Sequence, residues 1–123
     1  MVQELTLNAY QEKAITTCMD SCDNISYMLL NLVAEVGEFA GKLAKAIRKG
    51  QIIIKDNHIY VSDDAVEDEL FTALKGEAGD IMWQLSGLIH VMGWTAEEVG
   101  IDNLDKLASR KRRGVIDGNG DNR

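Results

Sequence analysis

An all-α fold, four helices with a short β-hairpin inserted between the second and the third, is predicted by three observations. The 123-residue chain has no proline and few aromatic residues beside abundant Ala, Leu, Glu and Lys, a composition that favours helices. Two long stretches place apolar residues three or four apart, the period of a helix face. The segment between them breaks that period with two β-branched runs around Asp56-Asn57. At this length the chain is expected to form one domain, residues 1–123.

Thr6 caps a first helix over 7–22, with Leu7, Tyr10, Ala14, Ile15 and Cys18 as its apolar face, and Asp23-Asn24 breaks it. The second helix covers 25–49, carries Arg48-Lys49 where the helix dipole prefers cations, and stops at Gly50. Its apolar stripe is Ile25, Leu29, Leu32, Val36, Phe39, Leu43 and Ile47. Residues 51–61 read as the hairpin, because Asp and Asn tolerate the left-handed conformations of a tight turn. An isolated hairpin is marginal, so it must lean on a helix face or on another subunit.

The third helix covers 64–92, with the seam Leu70, Leu74, Ala78, Ile81, Leu85, Leu88 and Met92 and a second apolar flank at Phe71, Met82 and Ile89. Gly76, Gly79 and Gly87 each cost about 1 kcal/mol relative to Ala in a helix, and close helix–helix approach is the expected reason. Gly93 ends this helix. Thr95 and Glu98 then form a capping box that opens a fourth helix running to 113, followed by a Gly-rich tail, 114–123. One chain can hardly cover both apolar flanks of the third helix, so a symmetric oligomer is expected.

Two pairs of acids interrupt the apolar pattern. Glu35 and Glu38 lie three apart, hence side by side, at the edge of the second helix's stripe; Glu77 and Asp80 repeat the arrangement on the third, with Gln84 on the same flank. If the two seams pack together, the four carboxylates converge. At about 5 Å and an effective dielectric of about 20, each like-charged pair repels by roughly 3 kcal/mol. A metal or a Lys/Arg cluster must offset that, and an all-oxygen donor set suits a hard divalent cation such as Mg²⁺.

The fourth helix supplies the complementary charge. Asn103, Lys106, Arg110 and Arg113 are spaced three, four and three and fall on one face. A charge stripe on a terminal helix is usually a solvated face; in a chain with two internal acidic pairs it also suits a polyphosphate, bound by metal on one side and Lys/Arg donors on the other.

The remaining signals are weaker. Trp83 could stack on a base, although a helical Trp more often packs. His90 reads as a hydrogen-bonded packing residue, and His58 as an exposed residue of the hairpin turn. Cys18 and Cys22, four apart on the first helix, read as reduced, partly buried thiols. The absence of any Glu-x-x-His motif counts against a di-iron bundle.

Net charge and hydropathy exclude further classes. The chain carries −7 overall, which argues against a nucleic-acid polymer as partner. Residues 1–102 hold 7 Lys/Arg against 17 Asp/Glu, while 103–123 hold 6 against 3, so an acidic body carries a basic end. No run of about 18 apolar residues exists to cross a membrane, and the start Met1-Val2-Gln3-Glu4 lacks the layout of a signal peptide. A cytoplasmic location is therefore expected.

Glu35-x-x-Glu38, Glu77-x-x-Asp80 and Asn103-x-x-Lys106, in that order, resemble the MazG-type all-α nucleoside triphosphate pyrophosphohydrolases. The wording Ala34-Glu35-Val36-Gly37-Glu38 and Glu77-Ala78-Gly79-Asp80-Ile81-Met82-Trp83-Gln84-Leu85 strengthens the resemblance, and the ending from Arg113-Gly114-Val115-Ile116 to Gly120-Asp121-Asn122-Arg123 is similar to a MazG-like subgroup.

The resemblance implies a four-helix MazG-type bundle assembling as a dimer or tetramer. It also implies Mg²⁺-dependent cleavage of (deoxy)nucleoside triphosphates to the monophosphate and pyrophosphate, with Mn²⁺ able to substitute. It maps metal ligands onto Glu35, Glu38, Glu77 and Asp80, and phosphate contacts onto Lys106, Arg110 and Arg113. Asn103 would hydrogen-bond sugar or phosphate. Glu38, ahead of Glu35, would orient the attacking water as general base. The alternatives are a phosphoribosyl-ATP pyrophosphohydrolase, a dUTPase-like enzyme, and a non-catalytic helical module that binds nucleotides or proteins.

Overall fold

A computed structural model of the chain describes residues 4–121. Met1, Val2 and Gln3 of the chain's start, and Asn122 and Arg123 of its Gly-rich tail, lie outside the described residues. Four helices and one hairpin follow in the expected order: α1 (Leu7–Ile15), α2 (Ile25–Arg48), β1 (Ile52–Lys55), β2 (His58–Val61), α3 (Asp64–Val91) and α4 (Ala96–Arg113).

α1 ends well before the expected 22. The Thr16 and Thr17 hydroxyls turn back onto the carbonyl oxygens of Lys13 and Ala14, at 2.6 and 2.7 Å, and occupy acceptors that a further helical turn would use. The chain then passes through a single 3₁₀ turn, Asp20–Cys22. Cys18 and Cys22 therefore share no helix, and both are free, half-buried thiols.

The Thr6 and Thr95 caps are where the sequence puts them, and the structure adds two more. Asn24 opens α2, its Oδ1 accepting from the Tyr27 amide at 2.8 Å, and Asp63 opens α3 through the Val66 amide at 2.9 Å. The Thr95–Glu98 capping box forms in both directions, and Gly114 closes α4 in the left-handed region at φ 69°. Asp56 and Asn57 adopt φ of 52° and 64°, so the hairpin turns on two left-handed residues, with Ile52 opposite Val61 and Lys55 opposite His58.

α2 packs along α3, while α1 and α4 pack against α3 and against each other. The α1–α4 joint is polar. Gln11, buried, donates to the Trp94 carbonyl at 3.1 Å and accepts from the Ala96 amide at 2.8 Å, and Asn8 accepts from the Glu97 amide at 2.9 Å. These side chains satisfy donors that a helix N-terminus leaves open.

The core is small: Met28, Ala46, Ile52, Leu74 and Ile89 are its buried apolar residues. A methyl at Gly87 would collide with the Met28 thioether, so that glycine does serve close α2–α3 approach. Gly76 and Gly79 meet nothing within 4 Å, which corrects the packing role expected of them. Ile89, expected on an outer flank, lies in the core, whereas Phe71 and Met82 of that flank are exposed.

α2 is rotated relative to its expected stripe. The face turned to α3 carries Met28, Leu32, Glu35, Phe39 and Ala46, leaving Leu29, Val33, Val36 and Ile47 exposed. The base of the hairpin is anchored, with Ile52 buried and the Gln51 amide bonded to the Ala46 carbonyl at 2.9 Å; Ile53, Ile54, Ile59 and Tyr60 stand exposed beyond it. Among the described residues, no helix is long and apolar enough to cross a membrane.

Candidate metal centre between the second and third helices

The rotation of α2 decides which acids meet. Glu35, on the face turned to α3, comes together with Glu77 and Asp80: one carboxylate oxygen from each lies within 4.8 Å of the others. Glu35 and Glu77 are half-buried and Asp80 is exposed, so the cluster has a closed side and an open one. Glu38, about 60° round α2 from Glu35, stands outside this group. It is exposed and borders an open depression with Ala34, Gly37, Gly41, Lys42 and Lys45.

Asn31, one turn before Glu35, orients the cluster's inner wall. Its amide nitrogen donates to Glu35 Oε1 at 3.3 Å and to Gln84 Oε1 at 2.7 Å, linking α2 to α3. Gln84 is 2% exposed, and its own amide nitrogen lies 3.5 Å from the Met28 carbonyl and thioether. On the other side of Glu35, Lys42 extends across to Glu77, Nζ to Oε1, at 3.4 Å.

The field at this place is strongly negative. Burial, then the charges of Asp80 and Glu77, push the Glu35 carboxyl above the ordinary range; the Asn31 hydrogen bond opposes this, and Glu38 adds a further small push. Tyr10 registers the same field: its phenol is raised by burial and by the charge of Asp80. The Tyr27 phenol is raised mainly by burial and by its neighbour Cys22, with Glu35 a lesser cause.

Three carboxylates facing one another with a single ammonium beside them form a hard-oxygen donor set with unbalanced charge. Glu35, Glu77 and Asp80 fit a divalent cation of the Mg²⁺ or Mn²⁺ kind on donor chemistry.

The other expected site residues lie elsewhere. Trp83 is tied to α1: its indole N–H donates to the Ala14 carbonyl at 3.1 Å and to Thr17 Oγ at 2.8 Å. That engagement agrees with the packing reading of a helical Trp. Asn103 and Lys106 line a separate open pocket of about 530 Å³ with Trp94, Glu98, Val99 and Asp102. Arg110 is 5% exposed and donates to the Asp121 carboxylate at 3.0 Å, and Lys106 lies 3.5 Å from the same oxygen. The tail thus folds back onto the basic stripe. Arg113 donates from Nε to Ser109 Oγ at 3.1 Å. His90 is exposed rather than packed, at a depression lined by Asn8, Gln11 and Trp94, and His58 is exposed at the start of β2.

Asn31 and Tyr10 are neighbours of the acids that no motif marks, and Lys42, one turn after Glu38, pairs with Glu77. Asn31 sits four residues before Glu35 and Lys42 seven after it, so both share its helix face; Tyr10 comes from α1, and no sequence spacing announces it.

A family model described as MazG nucleotide pyrophosphohydrolase domain matches residues 24–115. The chain belongs to this family. The match takes in α2, the hairpin, α3 and α4, hence all three clustered carboxylates. The chain is also similar to the Gene 37 protein of Mycobacterium phage L5, 40% identical over 105 residues that cover 85% of this chain and 81% of the phage protein. No solved structure matches the chain. The four-helix arrangement with a hairpin between α2 and α3 agrees with the all-α fold that MazG-like motifs imply.

Proposed function

We propose that the chain hydrolyses (deoxy)nucleoside triphosphates between the α- and β-phosphates, using Mg²⁺ or Mn²⁺ held by Glu35, Glu77 and Asp80. The observation that carries this reading is the convergence of those three carboxylates within 4.8 Å in a chain of the MazG nucleotide pyrophosphohydrolase family.

A divalent cation in that site supplies charge neutralisation of the triphosphate and a lowered pKa for water beside it. The chain's own groups do the rest. Asn31 fixes the rotamer of Glu35 by its hydrogen bond, and Lys42 holds Glu77 from the opposite side. Glu38, exposed and outside the cluster, keeps a free carboxylate at the rim and takes the proton of the attacking water as general base. The water oxygen bonds to the α-phosphorus, the bond from that phosphorus to the bridging oxygen breaks, and its electron pair leaves with pyrophosphate. Of the α4 residues expected at phosphate, Arg110 is buried and Asp121 engages both it and Lys106, so these two would have to release the tail to reach a substrate.

Incubation with a panel of nucleoside triphosphates and Mg²⁺, assaying pyrophosphate against orthophosphate, tests the reading. Pyrophosphate release that stops with excess EDTA is the expected result. Full hydrolysis in EDTA, or release of orthophosphate alone, would overturn it.

A further inference from the structure

The tail after α4 returns to the helix it leaves. Gly114 turns the chain at φ 69° and Gly120 at φ 76°, both in the left-handed region that glycine enters without strain. Between them the Gly118 amide donates to the Val115 carbonyl at 3.0 Å. This course brings Asp121 back against α4. Arg110 donates from one terminal nitrogen to the Asp121 carboxylate at 3.0 Å and to its backbone carbonyl at 3.3 Å, and the Lys106 ammonium lies 3.5 Å from the same carboxylate oxygen. Lys106 also lines the open pocket of about 530 Å³ with Trp94 and Asn103, so the clasp stands at that pocket's rim. We propose that residues 114–121 form a displaceable autoinhibitory strap: the Asp121 carboxylate holds the Lys106–Arg110 pair closed, and a polyphosphate ligand opens the strap by taking that carboxylate's place. The strap lies beyond the catalytic reading but rests on its assignment of the α4 cations to phosphate.

The clasp suits a phosphate better than the group that fills it. Two cations meet one singly charged carboxylate, which leaves the pair with surplus positive charge. A guanidinium presents a fork of donors that phosphate oxygens meet in pairs. Asp121 engages one arm of that fork, and the Arg110 Nε–H is buried with no hydrogen-bond partner. A buried donor without an acceptor is a cost that the closed state carries. A polyphosphate brings more charge and more acceptor oxygens to the same cations, so it competes with the carboxylate on favourable terms.

The strap is weakly fastened elsewhere. Residues 116–121 are exposed, Ile116 included, and Val115 is half-buried. Release therefore gives up little buried apolar surface. A strap that must open before a ligand binds lowers the apparent affinity by the fraction of molecules already open. The hold thus sets a threshold: a ligand with one weak anionic group leaves it closed, and one with several phosphates opens it.

Inorganic triphosphate in buffer stripped of divalent metal tests the strap, because the acidic cluster then repels the probe and the cations alone attract it. Binding is read by titration calorimetry, and tail mobility by the heteronuclear NOE of the Gly118 and Gly120 amides. In the wild type, saturating triphosphate should lower both NOEs towards those of a free chain. Asp121→Asn should bind triphosphate about three- to tenfold more tightly, since the open fraction rises, and K106Q added to it should cancel the gain. Asp117→Asn removes a tail acid that makes no ion pair among the described residues; solvent screens such a charge, so the affinity should stay within about twofold. NOEs that rise with triphosphate would make the tail a lid that closes on its ligand, and equal tightening by Asp117→Asn would reduce the effect to net charge. Either result, or no triphosphate binding by Asp121→Asn at millimolar concentration, overturns the proposal. Triphosphate-driven release in a chain that cleaves no nucleotide would sink the enzymatic reading and leave the strap standing. Hydrolysis whose KM Asp121→Asn leaves unchanged, with NOEs that triphosphate does not move, would do the reverse.

Discussion

Asn31 and Gln84 face each other across the α2–α3 interface, amide nitrogen to amide oxygen, at 2.7 Å. The same Asn31 nitrogen reaches Glu35 Oε1 at 3.3 Å, so one amide both joins the helices and sets a carboxylate of the acidic cluster. Gln84 is buried, and its oxygen would lose that donor if Asn31 were truncated. An unsatisfied buried polar group costs about 1–3 kcal/mol. Asn31→Ala should therefore lower stability by that order, and Mg²⁺ should protect the variant against heat less than it protects the wild type, because Glu35 is no longer held. Thermal melts with and without Mg²⁺ read both effects; unchanged metal protection would separate Asn31 from the metal centre.

Legibility in the sequence followed how local each feature is. The caps at Thr6 and Thr95, the left-handed Asp56-Asn57 turn and the stop at Gly114 are determined within a few residues, and all lie where expected. The end of α1 is not legible in the apolar pattern, because Thr16 and Thr17 bond back to the helix. Apolar periodicity carried past that point while side-chain chemistry stopped the helix. The rotation of α2 was harder still. An α2 apolar on two adjoining faces satisfies its period equally well in either orientation, and only packing on α3 selects Met28 and Glu35 as inward and leaves Val33 outward. For the same reason the convergence of Glu77 and Asp80 with Glu35 was legible, but the separation of Glu38 was not. The fold-back of the tail onto Arg110 had no local signal at all.

The exposed apolar face of α2 calls for a partner. Val33 is 67% and Leu30 71% exposed, with Leu29 and Val36 beside them and Met82 and Leu85 exposed on α3. Monomers rarely leave contiguous apolar patches of this kind open, and a second copy presenting the same patch gives a two-fold interface. A dimer or tetramer at micromolar concentration is the expected result of sedimentation analysis. Val33→Glu, which places a charge in the middle of the face, should shift the protein to monomer while α-helical content is retained. A wild-type chain that sediments as a stable monomer would count directly against the assembly.

Asp121 ties the tail to α4 and makes that contact dependent on pH. The hydrogen bond from Arg110, followed by the charge of Lys106, holds its carboxyl below the ordinary value of 3.8. A carboxyl lowered in the folded state contributes stability above its unfolded pKa and loses it as pH falls through the folded one. The tail contact should therefore be constant from neutral pH down to about the usual carboxylate range and be lost only below it. Asp121→Asn keeps an acceptor for Arg110 but removes the charge beside a buried guanidinium. Amide exchange over residues 115–121 should be faster in the variant at neutral pH, and the difference from wild type should close only in that acidic window. A difference that already changed between pH 8 and 5 would assign the contact to another group.

Glu35 and Glu38 make opposite predictions although they sit one turn apart. Glu35 is half-buried against Glu77 and Asp80, whose charges push its carboxyl up, so its ionised form is unfavourable in the metal-free protein. Glu35→Gln keeps the size and the Asn31 contact while removing one of three facing charges. In chelator at neutral pH it should melt higher than wild type. Added Mg²⁺ should stabilise the wild type by binding the folded state alone and should stabilise this variant much less. Glu38 stands exposed beyond the cluster, so Glu38→Gln should change neither the metal-free melting temperature nor the protection by Mg²⁺ appreciably. Its effect falls on turnover: loss of a general base lowers the rate by about 10²–10⁴-fold. The pair of variants thus separates holding the metal from moving the proton. If Glu38→Gln instead abolished Mg²⁺ protection, Glu38 would be a fourth ligand that swings inward when metal binds, and proton transfer would have to pass to another group.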